Sequence, residues 1–109
     1  MIRSPNKLGA DAASHFSITL KGKCWHCQGN LIFDTATNAL EQARALAWPE
    51  SNEIVCADIQ TVDSTAVAFF LAMKRRAVTE KRELILKEAP TALRDLASLY
   101  GVNDLLFAS

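Results

Sequence analysis

Hydrophobic and polar residues alternate near the beginning of the chain, which is typical of β-strands. The alternation, which is imperfect, covers residues 15–20. The turn-forming sequence Lys-Gly-Lys follows at 21–23, and residues 24–28 are a second short extended run. This arrangement predicts an antiparallel hairpin. We expect the Gly-Asn pair at residues 29–30 to end the second strand.

A helical pattern follows the hairpin. Asp34 or Thr35 can accept hydrogen bonds from the free amides of a helix start, and Pro49 is expected to stop the helix. The apolar positions that recur at helical spacing are Ala39, Leu40, Ala43, Leu46 and Ala47.

The middle of the chain predicts a strand, a helix and another strand. Residues 54–57 are a continuous apolar run that ends in Asp58, the pattern of a central strand covered on both faces. A helix is predicted from Thr65 to about Glu80, where the sequence contains neither Gly nor Pro. Residues 83–87 form the last predicted strand.

The C-terminal segment predicts one more helix. Pro90 lies where a helix entry tolerates a missing amide, and Gly101 is suited to a left-handed stop. Residues 105–107 are expected to fold back as an apolar clasp. The residues expected on the core face of this helix are Leu93, Leu96, Ala97 and Tyr100.

The predicted element order is β-β-α-β-α-β-α. A strand that leaves a helix and re-enters the same sheet normally does so by a right-handed crossover, so the later strands should be parallel. We therefore predict a small mixed α/β domain with about four strands flanked by helices. It is expected to cover residues 14–109 and to follow a flexible tail, residues 1–13.

Charge and composition exclude several functions. The 109-residue chain contains 12 Lys+Arg and 12 Asp+Glu, so it lacks the basic excess that drives binding to nucleic acid. The longest apolar run, residues 66–73, is much shorter than the roughly 20 residues of a membrane span. We expect a cytoplasmic protein that binds no nucleic acid and does not insert into the membrane itself.

The Cys-Trp-His-Cys motif at residues 24–27 suggests two kinds of site besides a place in the core. A thiol oxidoreductase needs its reactive thiol at a helix N-terminus, but strand alternation sends Cys24 and Cys27 to opposite faces. A zinc site could use His26 and Cys56 as further ligands, but zinc pairs normally lie on a tight turn. We expect no metal, no cofactor and no enzymatic activity; an insulin-reduction assay would test the oxidoreductase alternative.

Hydroxyl and carboxyl side chains lie between the central strand and the second helix. Ser64 is expected to be the N-cap of the helix, and Asp58 or Asp63 is expected to hold loop amides. Lys74 falls on the inward side of the helix and must extend its ammonium to water. The other positions predicted to face the core are Ala66, Val67, Phe70, Met73, Ala77 and Val78.

The opposite side of this helix predicts a surface for a partner protein. Phe69 is expected to point outward among small residues, as an aromatic anchor does in many protein interfaces. The residues of the predicted docking surface are Asp63, Ser64, Thr65, Ala68, Phe69 and Ala72.

These motifs resemble the STAS domain, a family named for sulfate transporters and anti-sigma factor antagonists. The likeness covers residues 16–107 and rests on the Gly-Asn-Leu segment at 29–31, on Asp58 and on the Asp-Ser pair at 63–64. Residues 93–102 look like the stand-alone STAS subunit of Mla-type phospholipid-transport ABC transporters. The resemblance implies a non-enzymatic interaction module.

The resemblance also implies two possible partners. In anti-sigma factor antagonists, a serine kinase that is also the anti-sigma factor phosphorylates the hydroxyl at the position of Ser64. In the transporter branch, the same surface binds the ATPase subunit at the inner membrane. Antagonists have glycines where this chain has Ala66 and Ala68, and the sporulation type has Asp in place of Ile32. We therefore predict the ATPase-binding accessory subunit, with the antagonist as the alternative.

Overall fold

The computed structural model describes residues 15–107. Its elements in chain order are β1 (Phe16–Lys21), β2 (Cys24–Leu31), α1 (Phe33–Ala45), β3 (Glu53–Val62), α2 (Ser64–Thr79), β4 (Ile85–Lys87), α3 (Thr91–Leu99) and α4 (Asn103–Phe107). The predicted tail, residues 1–13, lies outside the described residues. The predicted element order is confirmed, with one short helix added at the end.

The four strands form one sheet in the order β1-β2-β3-β4. β1 and β2 are antiparallel, whereas β2 with β3 and β3 with β4 are parallel. The connection from β2 to β3 contains α1 and the connection from β3 to β4 contains α2, and both move across the sheet in the same direction. Right-handed crossovers therefore place α1 and α2 on the same face of the sheet. The mixed α/β fold predicted from the sequence is confirmed.

Side-chain burial distinguishes the two faces of the sheet. On β2, Trp25 and Cys27 are buried, whereas Cys24 and His26, which alternate with them, are only half-buried. The helices pack over the buried face and the other face is the more exposed one. The largest fully buried side chains are Trp25, Phe69, Phe70, Leu31, Ile54, Met73, Leu84, Leu93 and Leu106.

β2 continues past the point where the sequence predicted its end. Gly29 has a φ of 104°, which favours glycine, and a Cβ there would press into the carbonyl of His15. The amide of Asn30 donates to the same carbonyl at 2.8 Å. Glycine therefore permits an irregularity within the strand, and the pairing resumes up to Leu31.

β3 is also longer than predicted. Asp58 does not end the strand: it is exposed, lies within β3 opposite Gln28, and is followed by Ile59, which returns to the core. β3 contributes an extra residue at each of two shifts in its register with β2, as in β-bulges. The loop-organising role expected for Asp58 is therefore wrong, because Asp58 is not in a loop.

The C-terminal predictions are mostly confirmed. Pro90 is the N-cap of α3, and Gly101 has the expected left-handed φ, 72°. Tyr100, expected on the core face, is exposed because it caps the end of α3. The predicted clasp at residues 105–107 is part of α4, which buries Leu106.

The outer edge of β1 is occupied by a side chain of α1. The Oε1 atom of Gln42 accepts from the Ile18 amide at 2.9 Å, and its Nε2 atom donates to the Phe16 carbonyl at 2.9 Å. Asn38 accepts a second hydrogen bond from Nε2 at 2.6 Å, which orients the amide group. Gln42 thus satisfies two backbone groups of this edge strand, the Ile18 amide and the Phe16 carbonyl.

Two tryptophans fasten the segment that follows α1 to the core. Trp48 stacks on Trp25 with ring centroids 4.9 Å apart, and the Trp25 indole donates to the carbonyl of Ala47 at 2.9 Å. The guanidinium groups of Arg76 and Arg82 lie 5.0 and 5.7 Å from the centroid of the Trp48 ring. Such cation–π contacts stabilise by about 0.5–1 kcal/mol at exposed sites.

In residues 15–107, no helix combines the length and the apolar character that crossing a membrane requires.

Candidate docking surface at the start of the second helix

Asp63 connects the beginnings of α1 and α2. Its Oδ1 atom accepts from the Thr65 amide at 2.9 Å and also from the Thr65 hydroxyl, which makes Asp63 the N-cap of α2. Its Oδ2 atom accepts from the Phe33 amide at 2.9 Å, at the first residue of α1. One carboxylate therefore satisfies otherwise unpaired amides of two helices.

These hydrogen bonds also stabilise the negative charge of the Asp63 side chain. Desolvation raises its pKa, but the hydrogen bonds from the Thr65 hydroxyl and from the amides of Phe33 and Thr65 outweigh that effect. The net pKa is lowered, because these donors favour the ionised form. Asp63 is thus an anion near neutral pH, next to the positive ends of two helix dipoles.

α1 has no polar N-cap side chain of its own. The position belongs to Ile32, whose amide donates to the Thr35 hydroxyl at 3.0 Å. That buried hydroxyl donates in turn to the Asn30 carbonyl at 2.7 Å. The sequence correctly indicated Thr35 as a hydrogen-bond acceptor at this helix start. It did not indicate Asp63, which accepts the Phe33 amide from thirty residues further along the chain.

Ser64 is exposed and is the first residue of α2 rather than its N-cap. The expectation that it caps the helix is therefore wrong: the carboxylate of Asp63, one residue earlier, occupies that role. The Ser64 hydroxyl is accessible at the N-terminus of a 16-residue helix.

Phe69 does not point outward as the sequence predicted. It is 2% exposed and packs edge-on against Phe16 and Phe70, with ring centroids 6.1 and 5.0 Å away. The prediction used the helical spacing of residues in α2 alone, whereas α1 packs against α2 and lines a groove together with Phe69. Conversely, Val78 was expected in the core and is 74% exposed.

The exposed aromatic residue of this surface is Phe33, which the sequence reasoning missed. Its side chain is 76% exposed at the first position of α1. It lies on a groove of about 460 Å³ between α1 and α2. We call this the α1–α2 groove; its lining residues are Phe33, Asp34, Ala36, Thr37, Leu40, Thr65, Ala68 and Phe69.

The predicted site residues are therefore only partly brought together. Thr65 and Ala68 line the α1–α2 groove, and Phe69 contributes to it as a nearly buried residue. Ala72, one turn further along α2, is half-buried and does not line the groove. A second apolar stripe on α1, formed by Phe33, Ala36 and Leu40 at helical spacing, was the signal that could have revealed the other wall.

Cys27 and Cys56 are buried in the core, whereas Cys24 is half-buried. Cys24 and Cys27 lie on opposite sides of β2, as predicted, and all three cysteines of the chain are free. A hydrogen bond with the Cys56 side chain and burial raise the pKa of the Cys27 thiol well above its ordinary value. A thiol that stays protonated is a poor nucleophile. No cluster of three His, Cys, Asp or Glu side chains suited to a metal ion occurs within residues 15–107.

The fold and this surface define a small α/β domain with an accessible groove beside its second parallel crossover. The family model described as "Mlab, STAS domain" matches residues 16–107. The chain belongs to the STAS domain family, whose members are generally non-enzymatic interaction modules. No curated protein matches the chain.

Proposed function

We propose that the chain is the accessory subunit of a phospholipid-transport ABC transporter, binding its ATPase subunit through the α1–α2 groove. The observation that carries the proposal is Phe33, exposed on a groove whose two helices are tied together by Asp63. The description of the matching family supports the transporter branch. Through this partner, the domain would be located at the inner face of the inner membrane.

The groove has the properties of a protein-binding site. An exposed aromatic side chain is a frequent energetic centre of protein interfaces, and Phe33 has small neighbours, Ala36 and Ala68, that leave room for a partner's side chains. Because the carboxylate of Asp63 already joins the two helix starts, the groove requires little reorganisation on binding.

A second candidate function is a phosphorylation-regulated anti-sigma factor antagonist, and the exposure of Ser64 favours it. A phosphoryl group on Ser64 would add nearly two negative charges beside the ionised Asp63. Those charges would lie at the rim of the partner surface. Ala66 and Ala68 in the first turns of α2 instead favour a helix start of constant structure.

A mild crosslinking pull-down of the tagged chain from its own cells tests both functions. Recovery of an ABC ATPase and its membrane permease with unmodified Ser64 is the expected result. Recovery of a serine kinase together with phosphorylated Ser64 would establish the antagonist instead.

Variants of the exposed residues test the surface itself. Phe33→Ser should lower ATPase recovery at least about tenfold, as loss of an interface anchor does. The matched control is Leu99→Ser, because Leu99 is 75% exposed on α3, outside the groove. Ser64→Glu should also weaken recovery, whereas Ser64→Ala should not. Normal recovery by both Phe33→Ser and Ser64→Glu would remove the α1–α2 groove as the partner surface.

A further inference from the structure

A second groove lies on the other flank of α2, toward its C-terminal end. It has a volume of about 430 Å³, within the roughly 300–1,000 Å³ of ligand-binding sites. α2 forms one wall and Leu105 of α4 contributes to the other. We call it the α2–α4 groove; its lining residues include Leu71, Lys74, Arg75, Val78, Arg82 and Leu105.

Large apolar side chains are accessible at this groove. Val78 is 74% exposed and Leu105 is 65% exposed, while Leu84 beneath them is buried. Val78 and Leu71 are seven residues apart on α2, and so lie on the same side of the helix. Exposed side chains grouped on one concave surface mark an interaction site more often than scattered ones do.

The charged residues around these apolar side chains are predominantly cationic. Lys74, Arg75 and Arg82 line the groove against one carboxylate, that of Glu83. The chain as a whole has equal numbers of basic and acidic residues, so this excess is local. The described ion pairs, Arg76 with Glu80 and Lys87 with Glu53, use none of these three cations.

Lys74 is held in a partly desolvated position. Burial lowers the pKa of its ammonium, and the Glu83 carboxylate opposes that shift only in part. A partner carboxylate at this point would compensate for the lost hydration of Lys74. The groove is thus complementary to a ligand that carries both acidic and apolar groups.

We propose that the α2–α4 groove binds an acidic amphipathic helix of a partner protein. Its apolar side chains would insert between Val78 and Leu105, and its carboxylates would pair with Lys74 and Arg75. Helices that lay an apolar face into a groove use this arrangement. A lipid surface is less well matched, because the site is concave and the chain has no net charge to attract an anionic bilayer.

This surface is distinct from the α1–α2 groove, with which it shares no lining residue. The proposal therefore does not depend on the proposed function, and each can fail without the other.

Site-specific photocrosslinking in the full chain tests the proposal. A benzoylphenylalanine would replace Val78 or Leu105, with Phe33 as the reporter of the other groove and Leu99 as the exposed control. We expect Val78 and Leu105 to crosslink to one partner segment, identified by mass spectrometry, with net negative charge and apolar residues at helical spacing. Absence of a crosslink, a basic or neutral segment, or a lipid adduct would overturn the proposal.

A synthetic peptide of the mapped segment then provides the quantitative test. Its affinity for the purified chain should fall about tenfold between about 0.1 and 0.5 M salt. Arg75→Glu should weaken binding at least about tenfold, whereas Arg44→Glu, the same charge change at an exposed residue of α1, should not. Equal affinity of both variants would contradict the assigned role of charge.

Discussion

The α1 and α2 helices run side by side, and their two ends are joined in opposite ways. At the N-terminal end, the short side chain of Asp63 accepts hydrogen bonds from backbone amides of both helices at 2.9 Å. At the C-terminal end, the long guanidinium of Arg76 donates to the Ala43 carbonyl of α1 at 3.3 Å and pairs with Glu80. Each charge has the sign that the local helix dipoles favour.

The difference between the ends lies in how firmly each is held. Asp63 has few rotatable bonds, and its side-chain hydrogen bonds come from residues in the first turns of two helices. Arg76 is flexible, and its contacts include a partly exposed ion pair of the kind that contributes little to stability. The N-terminal end is therefore rigid and presents a formed groove, whereas the C-terminal end is basic and adaptable.

The largest effect is expected at the base of the α1–α2 groove. Phe69→Ala should lower the free energy of unfolding by about 3–5 kcal/mol, because it leaves a cavity beside Phe16 and Phe70. Val78→Ala, at the other end of α2, should change it by less than about 0.5 kcal/mol, because Val78 is exposed. Urea unfolding measures both; similar values would show that Phe69 is not a core residue.

Removing the shared cap should have the next largest effect. Asp63→Ala leaves the Phe33 and Thr65 amides without their acceptor, and should cost about 1–3 kcal/mol of stability. Asp34→Ala is the matched control: this exposed residue also lies in the first turn of α1, and its loss should cost less than about 1 kcal/mol. The same urea measurement would contradict the double cap if the two variants were equally stable.

Acidification should remove part of the stability that the Asp63→Ala substitution removes. The pKa of Asp63 in the folded chain lies below the ordinary value of about 3.9. This carboxylate therefore binds a proton more strongly in the unfolded chain. The contribution is therefore complete above about pH 4 and is lost as the pH falls through the lowered folded pKa. The stability difference between wild type and Asp63→Asn, measured by urea unfolding, should shrink from pH 6 toward pH 3; a constant difference would argue against the charged cap.

The smallest effect is expected at the C-terminal end. Arg76→Ala should cost about 0.5–1 kcal/mol, since its contacts are a surface ion pair, one hydrogen bond at 3.3 Å and the cation–π contact with Trp48. Added salt should reduce the difference from wild type. A cost as large as that of Asp63→Ala would abolish the contrast between the two ends.

The sequence predicted the fold well because its signals are local. Alternation marked the hairpin of β1 and β2, and Gly101 marked the end of α3 through its left-handed φ. The strand boundaries failed at backbone irregularities, at Gly29 in β2 and after Asp58 in β3, because a bulge keeps the strand paired beyond a residue that would otherwise end it. α1 also ends at Ala45, before the predicted stop at Pro49.

The candidate site was less predictable because it is built from distant segments. A helical wheel assigns Phe69 to a face without knowing that α1 covers that face. Likewise, nothing near Phe33 in the sequence shows that Asp63 will accept its amide. The α1–α2 groove follows from the packing of the two crossovers, so its position could be inferred only in part from α2.

The amide of Gln42 has a consequence for the behaviour of the protein in a crowded cell. An uncovered edge strand is a template on which strands of other molecules can add, and so a route to aggregation and domain swapping. The Gln42 side chain already hydrogen-bonds the Ile18 amide and the Phe16 carbonyl at the β1 edge. β4, at the opposite edge, is only three residues long. Both edges of the sheet therefore carry features that disfavour the addition of a foreign strand: two occupied backbone groups at β1 and a short strand at β4.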